Sequence, residues 1–82
     1  MNLFISGGAG FIGSNLVNTI VKDKSIKKIT VYDNFSSGKK WFLKKNKKIV
    51  IVKGDIKNKK KLSLAIKGSN LIYHFAANPD IG

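Results

Sequence analysis

The stretch Leu3-Phe4-Ile5-Ser6-Gly7-Gly8-Ala9-Gly10-Phe11-Ile12-Gly13-Ser14-Asn15 sets a short apolar run directly before four glycines in seven positions. Glycine loses more backbone freedom on folding than other residues, so the cluster is costly unless unusual backbone angles or missing side chains are needed. Residues 3–6 have the length and continuity of a buried parallel strand. From Phe11 the period changes: Ile12, Leu16 and Ile20, with Val17 and Val21, recur at helical spacing, while Asn15, Asn18, Lys22 and Lys24 take the other side. A strand, a glycine turn and a helix thus follow without a break, and something must come close to the backbone of that turn.

Outward from this unit the pattern repeats. Residues 29–32 form a β-branched and aromatic run closed by Asp33-Asn34. Ser36, Ser37 and Gly38 read as a loop, and Trp41, Phe42 and Leu43 as a short helix. Residues 49–52 are a third strand, followed by Gly54 and Asp55; Leu62, Ala65 and Ile66 share one face of a lysine-flanked helix that stops at Gly68. Residues 71–75 are the fourth strand, with Ala76, Ala77, Asn78 and Pro79 in the turn beyond. Strands alternating with helices imply right-handed crossovers and a parallel sheet covered on both faces. The missing polar alternation agrees, since central parallel strands have no solvent face. The expected fold is therefore α/β, a partial Rossmann-type doubly wound parallel sheet of about four strands with about three crossovers. Residues 1–82 read as the N-terminal part of such a domain, whose remainder is absent.

Composition narrows the function classes. With no cysteine among 82 residues, a disulfide framework and a thiolate metal site are excluded. No apolar stretch approaches a membrane span and no basic segment precedes the first apolar residues, so a cytoplasmic protein without membrane association is expected. The net charge of +12 suggests a polyanion. Every basic residue is lysine, however, whereas base-edge and bidentate phosphate recognition favour arginine. The lysines gather in polar turns and on helix faces, as solvated residues do, and no specific nucleic-acid partner is expected.

Gly8-Ala9-Gly10-Phe11-Ile12-Gly13 fits G-x-G-x-x-G, and Gly7 also makes G-x-x-G-x-x-G available. Following a strand and opening a helix, it has the context of a dinucleotide site. Gly7 and Gly8 would make the tight turn, Gly10 would admit a pyrophosphate to the backbone, and Gly13 would let helix and strand pack closely. Unpaired amides and the helix dipole would stabilise the phosphate charge. Gly13 is followed by Ser14 rather than lysine, which excludes a triphosphate-hydrolysing loop. Asp33, 20 residues after Gly13, can accept the ribose hydroxyls and oppose a 2′-phosphate, which favours NAD over NADP; the alternative is a plain Asp-Asn turn. Asp55 repeats that geometry one strand later, either toward an adenine amino group or into solvent. Ala76 and Ala77 offer almost no side chain where a cofactor would cross the sheet edge, which would either admit it or simply allow tight packing. His74, with no second imidazole or cysteine, reads as a packing histidine rather than a ligand or acid-base group.

Together SGGAGFIGSNLV (6–17), YDNFSSG (32–38), GDI (54–56) and YHFAANPD (73–80) resemble the extended short-chain dehydrogenase/reductase family. The likeness is to its NAD-dependent epimerase/dehydratase branch acting on nucleotide sugars, nearest to the C4 epimerases of UDP-sugars. The resemblance implies that Gly7, Gly10, Phe11, Ile12 and Gly13 lie against NAD, and that Asp33, Asn34, Ser36 and Ser37 form the adenosine ribose pocket. It further implies adenine contacts from the Asp55 side chain and the Ile56 backbone, and a wall of Phe75, Ala76 and Ala77 beside the nicotinamide half. Ser6 stands where the family more often has threonine. The family's catalytic Tyr-x-x-x-Lys is missing: four residues after Tyr32 and Tyr73 come Ser36 and Ala77. For a complete enzyme the resemblance implies bound NAD, a tyrosinate that removes the sugar 4-hydroxyl proton, and hydride return to the opposite face of a 4-keto sugar. It also implies a homodimer, and an isolated segment without activity. Dehydratase, decarboxylase and reductase members share this half; a non-catalytic NAD-binding module and a basic nucleic-acid-binding domain are the alternatives from other classes.

Overall fold

The computed structural model describes residues 1–7, 10–35, 43 and 45–74. In chain order they form β1 (Asn2–Ser6), α1 (Phe11–Ile20), β2 (Lys28–Asp33), β3 (Ile49–Lys53), α2 (Lys59–Ile66) and β4 (Leu71–His74). The strands make one parallel sheet in the order β3-β2-β1-β4. This is the expected partial doubly wound α/β arrangement. Of the short helix expected at 41–43, only Leu43 falls among the described residues, and the expected end of β4 at Phe75 lies outside them.

Register divides the side chains between two faces. Leu3 and Ile5 align with Ile29 and Val31, and these with Ile49 and Ile51; Phe4 and Ser6 align with Thr30 and Tyr32, pointing the other way. On the first face Val17 of α1 and Val21 just past its end, with Ile26 and Leu43, close a buried core over Leu3, Ile5, Ile29 and Val31. The helical spacing of Val17 and Val21 is therefore what packs α1 down, while Ile12 at its start remains 72% exposed. On the second face the Phe4 and Tyr32 rings lie 5.9 Å apart in a tilted pair. The β1-to-β2 and β3-to-β4 crossovers advance in opposite directions, so right-handed connections set α1 and α2 on opposite faces.

The expected cover on both faces holds for β1 and β2 but not for β3 and β4. β1 and β2 are buried, with Ile5, Ile29 and Val31 fully so, but Val50 of β3 and Ile72 of β4 are 40% and 54% exposed. β3 and β4 each have a single strand neighbour, and α2 contains no buried residue. Composition signals a strand; only its place in the sheet decides its burial.

Local hydrogen bonds fix the ends of the elements. Asn58 caps α2 by accepting from the Lys61 amide at 3.1 Å, and α2 ends at Lys67 followed by Gly68 with φ +86°. That left-handed angle is the reason for the expected glycine after the helix. Lys48 Nζ donates to the carbonyls of Val21 and Asp23 beyond the end of α1 (3.3 and 3.4 Å), a favourable place for a cation. Among the described residues no helix is long and apolar enough to cross a membrane.

Candidate functional site

Because every pairing is parallel, the carboxyl ends of all four strands share one edge, occupied by Ser6, Asp33, Lys53 and His74. The chain runs from β1 outward to β2 and β3, then returns to β4 on the other side of β1. That reversal makes the end of β1 a topological switch point, the place where open α/β sheets form a crevice.

The glycine turn stands at this point. Gly7 has φ +76°, its amide donates to the Tyr32 carbonyl (2.8 Å) and its carbonyl accepts from Gly10 (3.2 Å). Among the described residues of the turn, it is the left-handed angle at Gly7 that calls for glycine. Gly10 differs. Its angles, φ −70° and ψ 170°, suit any residue, and a Cβ built there would meet nothing nearer than the Gly7 carbonyl oxygen at 3.4 Å. Among the described residues, neither backbone angle nor packing requires glycine at 10. α1 begins at this turn with no side chain capping it and no acid in its first turn. A helix start of this kind suits an anion. Gly13 is buried, consistent with close packing of helix against strand.

Next along the edge, Asp33 is 9% exposed and its Oδ1 accepts from the Phe35 amide at 2.7 Å. The turn this makes carries Phe35 at φ +61°, a rare angle for a bulky residue, with its side chain packed on the core. The Asp33 carbonyl accepts from Gly54 (2.9 Å), joining the ends of β2 and β3. Asp55 is exposed; its Oδ1 accepts from Lys57 (2.9 Å) and its carbonyl from Tyr32 Oη (2.7 Å) and Asn58 (3.0 Å). On the opposite side of the turn, Ser6 Oγ hydrogen-bonds His74 Nδ1 and so ties β1 to β4. The expected packing histidine, His74, is exposed at the end of β4. Apart from Lys48, every lysine among the described residues is exposed, which fits solvated faces. Away from this edge, the backbone and hydroxyl hydrogen bonds from Ser25 hold the Asp23 carboxyl below its ordinary range.

Of the expected site residues, the structure brings Gly7, Gly10, Phe11, Ile12, Gly13, Asp33, Asn34, Asp55 and Ile56 to this one edge. Ser36, Ser37, Phe75, Ala76 and Ala77 lie outside the described residues. Sequence reasoning missed the Tyr32 contact with the Asp55 loop, the left-handed angle at Phe35 and the Ser6–His74 bond. The first and last join residues 23 and 68 positions apart, with no local signal.

Residues 4–82 match the model of the 3-beta hydroxysteroid dehydrogenase/isomerase family. The dTDP-glucose 4,6-dehydratase of Mycobacterium tuberculosis is 31% identical over 99% of this chain and 25% of its own length. The UDP-glucose 4-epimerase of Rhizobium meliloti is 37% identical over 99% of this chain and 24% of its own. Among solved structures, a dTDP-glucose 4,6-dehydratase from Bacillus anthracis in complex with NAD superposes with a TM-score of 0.83 at 34% identity, over 95% of this chain and 27% of that one. The chain belongs to the extended short-chain dehydrogenase/reductase superfamily, in its NAD-dependent epimerase/dehydratase group, and the family model it matches within that superfamily is the 3-beta hydroxysteroid dehydrogenase/isomerase one. It spans about a quarter of the length of the curated relatives it matches.

Proposed function

We propose that this chain is the NAD-binding N-terminal part of a nucleotide-sugar epimerase/dehydratase, and specifically of a UDP-glucose 4-epimerase-like enzyme. The observation that carries the reading is Gly10, a glycine that neither backbone angle nor packing among the described residues demands, at the uncapped start of α1 and at the switch point of the sheet. The residues fit the cofactor. Gly7, Gly10, Phe11, Ile12 and Gly13 would hold the pyrophosphate through backbone amides; Asp33, with Asn34, Ser36 and Ser37, would accept the adenosine ribose; Asp55 and Ile56 would meet adenine. Phe75, Ala76 and Ala77 would line the nicotinamide half. When bound, NAD supplies a hydride acceptor and donor.

This chain's own share is binding and orientation. Asp33 discriminates by charge, since a 2′-phosphate beside a carboxylate is repelled, whereas ribose hydroxyls donate to it. With no Tyr-x-x-x-Lys here, proton transfer at a sugar 4-hydroxyl belongs to other parts of the whole enzyme, for which a UDP-sugar substrate, a homodimer and a cytoplasmic location are proposed. A steroid dehydrogenase is the second reading, favoured by the family model over residues 4–82. Both readings share the NAD site and part at the substrate.

Calorimetric titration of NAD and NADP into the chain and its Asp33→Ala variant tests the site. NAD should bind more tightly than NADP, and the variant should narrow that gap; an unaltered ratio removes Asp33 from the ribose. Turnover of UDP-glucose, dTDP-glucose and a 3β-hydroxysteroid by the product of the complete gene separates the two substrate readings.

A further inference from the structure

Tyr32 is buried to 1% exposure on β2, one residue before Asp33, and its ring pairs with Phe4 beneath the second face of the sheet. Its hydroxyl reaches across to β3's far end and donates to the Asp55 carbonyl at 2.7 Å. The same carbonyl accepts from Asn58, the residue that caps α2, so one oxygen gathers β2, the loop after β3 and the start of α2. Gly54 makes the approach possible: a Cβ there would fall 2.5 Å from Tyr32 Cζ and 2.7 Å from Cε2, and would also strike Oη. The ring sits under a glycine that leaves room for it, and the loop cannot shift without breaking the bond.

We infer that Tyr32 is a positioning residue for the adenine end of the cofactor site, acting through the backbone of Asp55. The inference rests on the NAD reading above and extends it to a residue with no cofactor contact of its own. Asp55 is exposed on a connecting loop, and a carboxylate in such a place binds an exocyclic amine well only if its backbone is held in advance. Tyr32 supplies that restraint from the core, and the Lys57 backbone amide fixes the carboxylate itself by donating to Oδ1 at 2.9 Å. The Gly54 amide, bonded to the Asp33 carbonyl at 2.9 Å, makes the ribose and adenine positions parts of one rigid edge.

The test compares NAD with nicotinamide hypoxanthine dinucleotide, which carries a carbonyl in place of the adenine amino group, on the full chain and on Tyr32→Phe. The variant should lose roughly 2- to 10-fold in NAD affinity, the range of one net hydrogen bond, and keep its affinity for the hypoxanthine analogue. If Tyr32→Phe does not fold, Asn58→Ala, which removes the cap of α2 but keeps the backbone amide that shares the Asp55 carbonyl, should leave the preference for NAD over the hypoxanthine analogue unchanged while Asp55→Ala abolishes it; a preference that survives Asp55→Ala would overturn the inference. Without cofactor, amide exchange at Lys57 and Asn58 should quicken in Tyr32→Phe. Equal losses for both dinucleotides, no loss, or unchanged exchange would overturn the role of Tyr32 while leaving the NAD site standing. Failure of the unaltered chain to bind NAD would overturn both.

Discussion

Replacing Gly10 by alanine separates a glycine kept for the fold from one kept for a ligand. The folded chain can accept the methyl group: φ −70° and ψ 170° are ordinary for alanine, and the nearest atom is the Gly7 oxygen at 3.4 Å. Fewer unfolded conformations should add about 0.4–1 kcal/mol to stability. Alanine is a poorer first cap than glycine by a similar amount, about 0.5–1 kcal/mol. The two offset, so stability should stay within about 1 kcal/mol of the parent and the melting temperature within about 4–8 °C. Binding should behave oppositely. A methyl group at this position keeps the pyrophosphate from the α1 amides, and NAD affinity should fall at least about tenfold, or about 1.4 kcal/mol. Thermal unfolding by circular dichroism and calorimetric titration read the two halves. Unchanged NAD affinity would refute the phosphate role of Gly10, and a melting temperature lowered by about 15 °C or more would show that glycine at 10 serves the fold.

Phe35→Gly should be more stable than Phe35→Ala by about 1 kcal/mol in urea unfolding, reversing the usual glycine penalty, because φ is +61° there. Both should be less stable than the parent, since Phe35 packs on the core; equal stabilities for the pair would remove the strain. Gly68→Ala should cost about 1 kcal/mol despite open space around it, since φ is +86°, and an unchanged denaturation midpoint would contradict this. Asp23 bears on acid stability. A carboxyl whose folded pKa is lowered contributes its stability above the unfolded value, about 3.9, and loses it as pH falls through the folded one. Asp23→Asn should therefore flatten the acid limb of the stability profile below about pH 4; parallel limbs would show that the Ser25 contacts do not favour the charged form.

What was legible in the sequence was whatever depends on neighbours along the chain. The runs at Leu3, Ile29, Ile49 and Leu71 became strands, and Gly68 ended its helix, because side-chain shape and backbone angle act locally. The exposure of Val50 and Ile72 was not legible, since an apolar run reads alike at a sheet's centre and at its edge. The turn after β2 shows the same limit: Asp33-Asn34 announces a turn, and asparagine tolerates left-handed angles, yet it is Phe35 that adopts one. At the candidate site, the glycines and Asp33 were singled out by spacing. Tyr32 was not, because its role exists only where β2 passes beneath Gly54.

The central claim is that the carboxyl edge of the sheet, and not the lysine-rich surface, is the binding face. Titrating NAD into the 15N-labelled chain and following amide resonances tests it most directly. The account predicts saturable shifts concentrated at Gly7, Gly10, Phe11, Ile12, Gly13, Asp33 and Asp55, little altered by added salt. Shifts spread over Lys45–Lys48 and the lysines of α2, fading as salt rises, would contradict it.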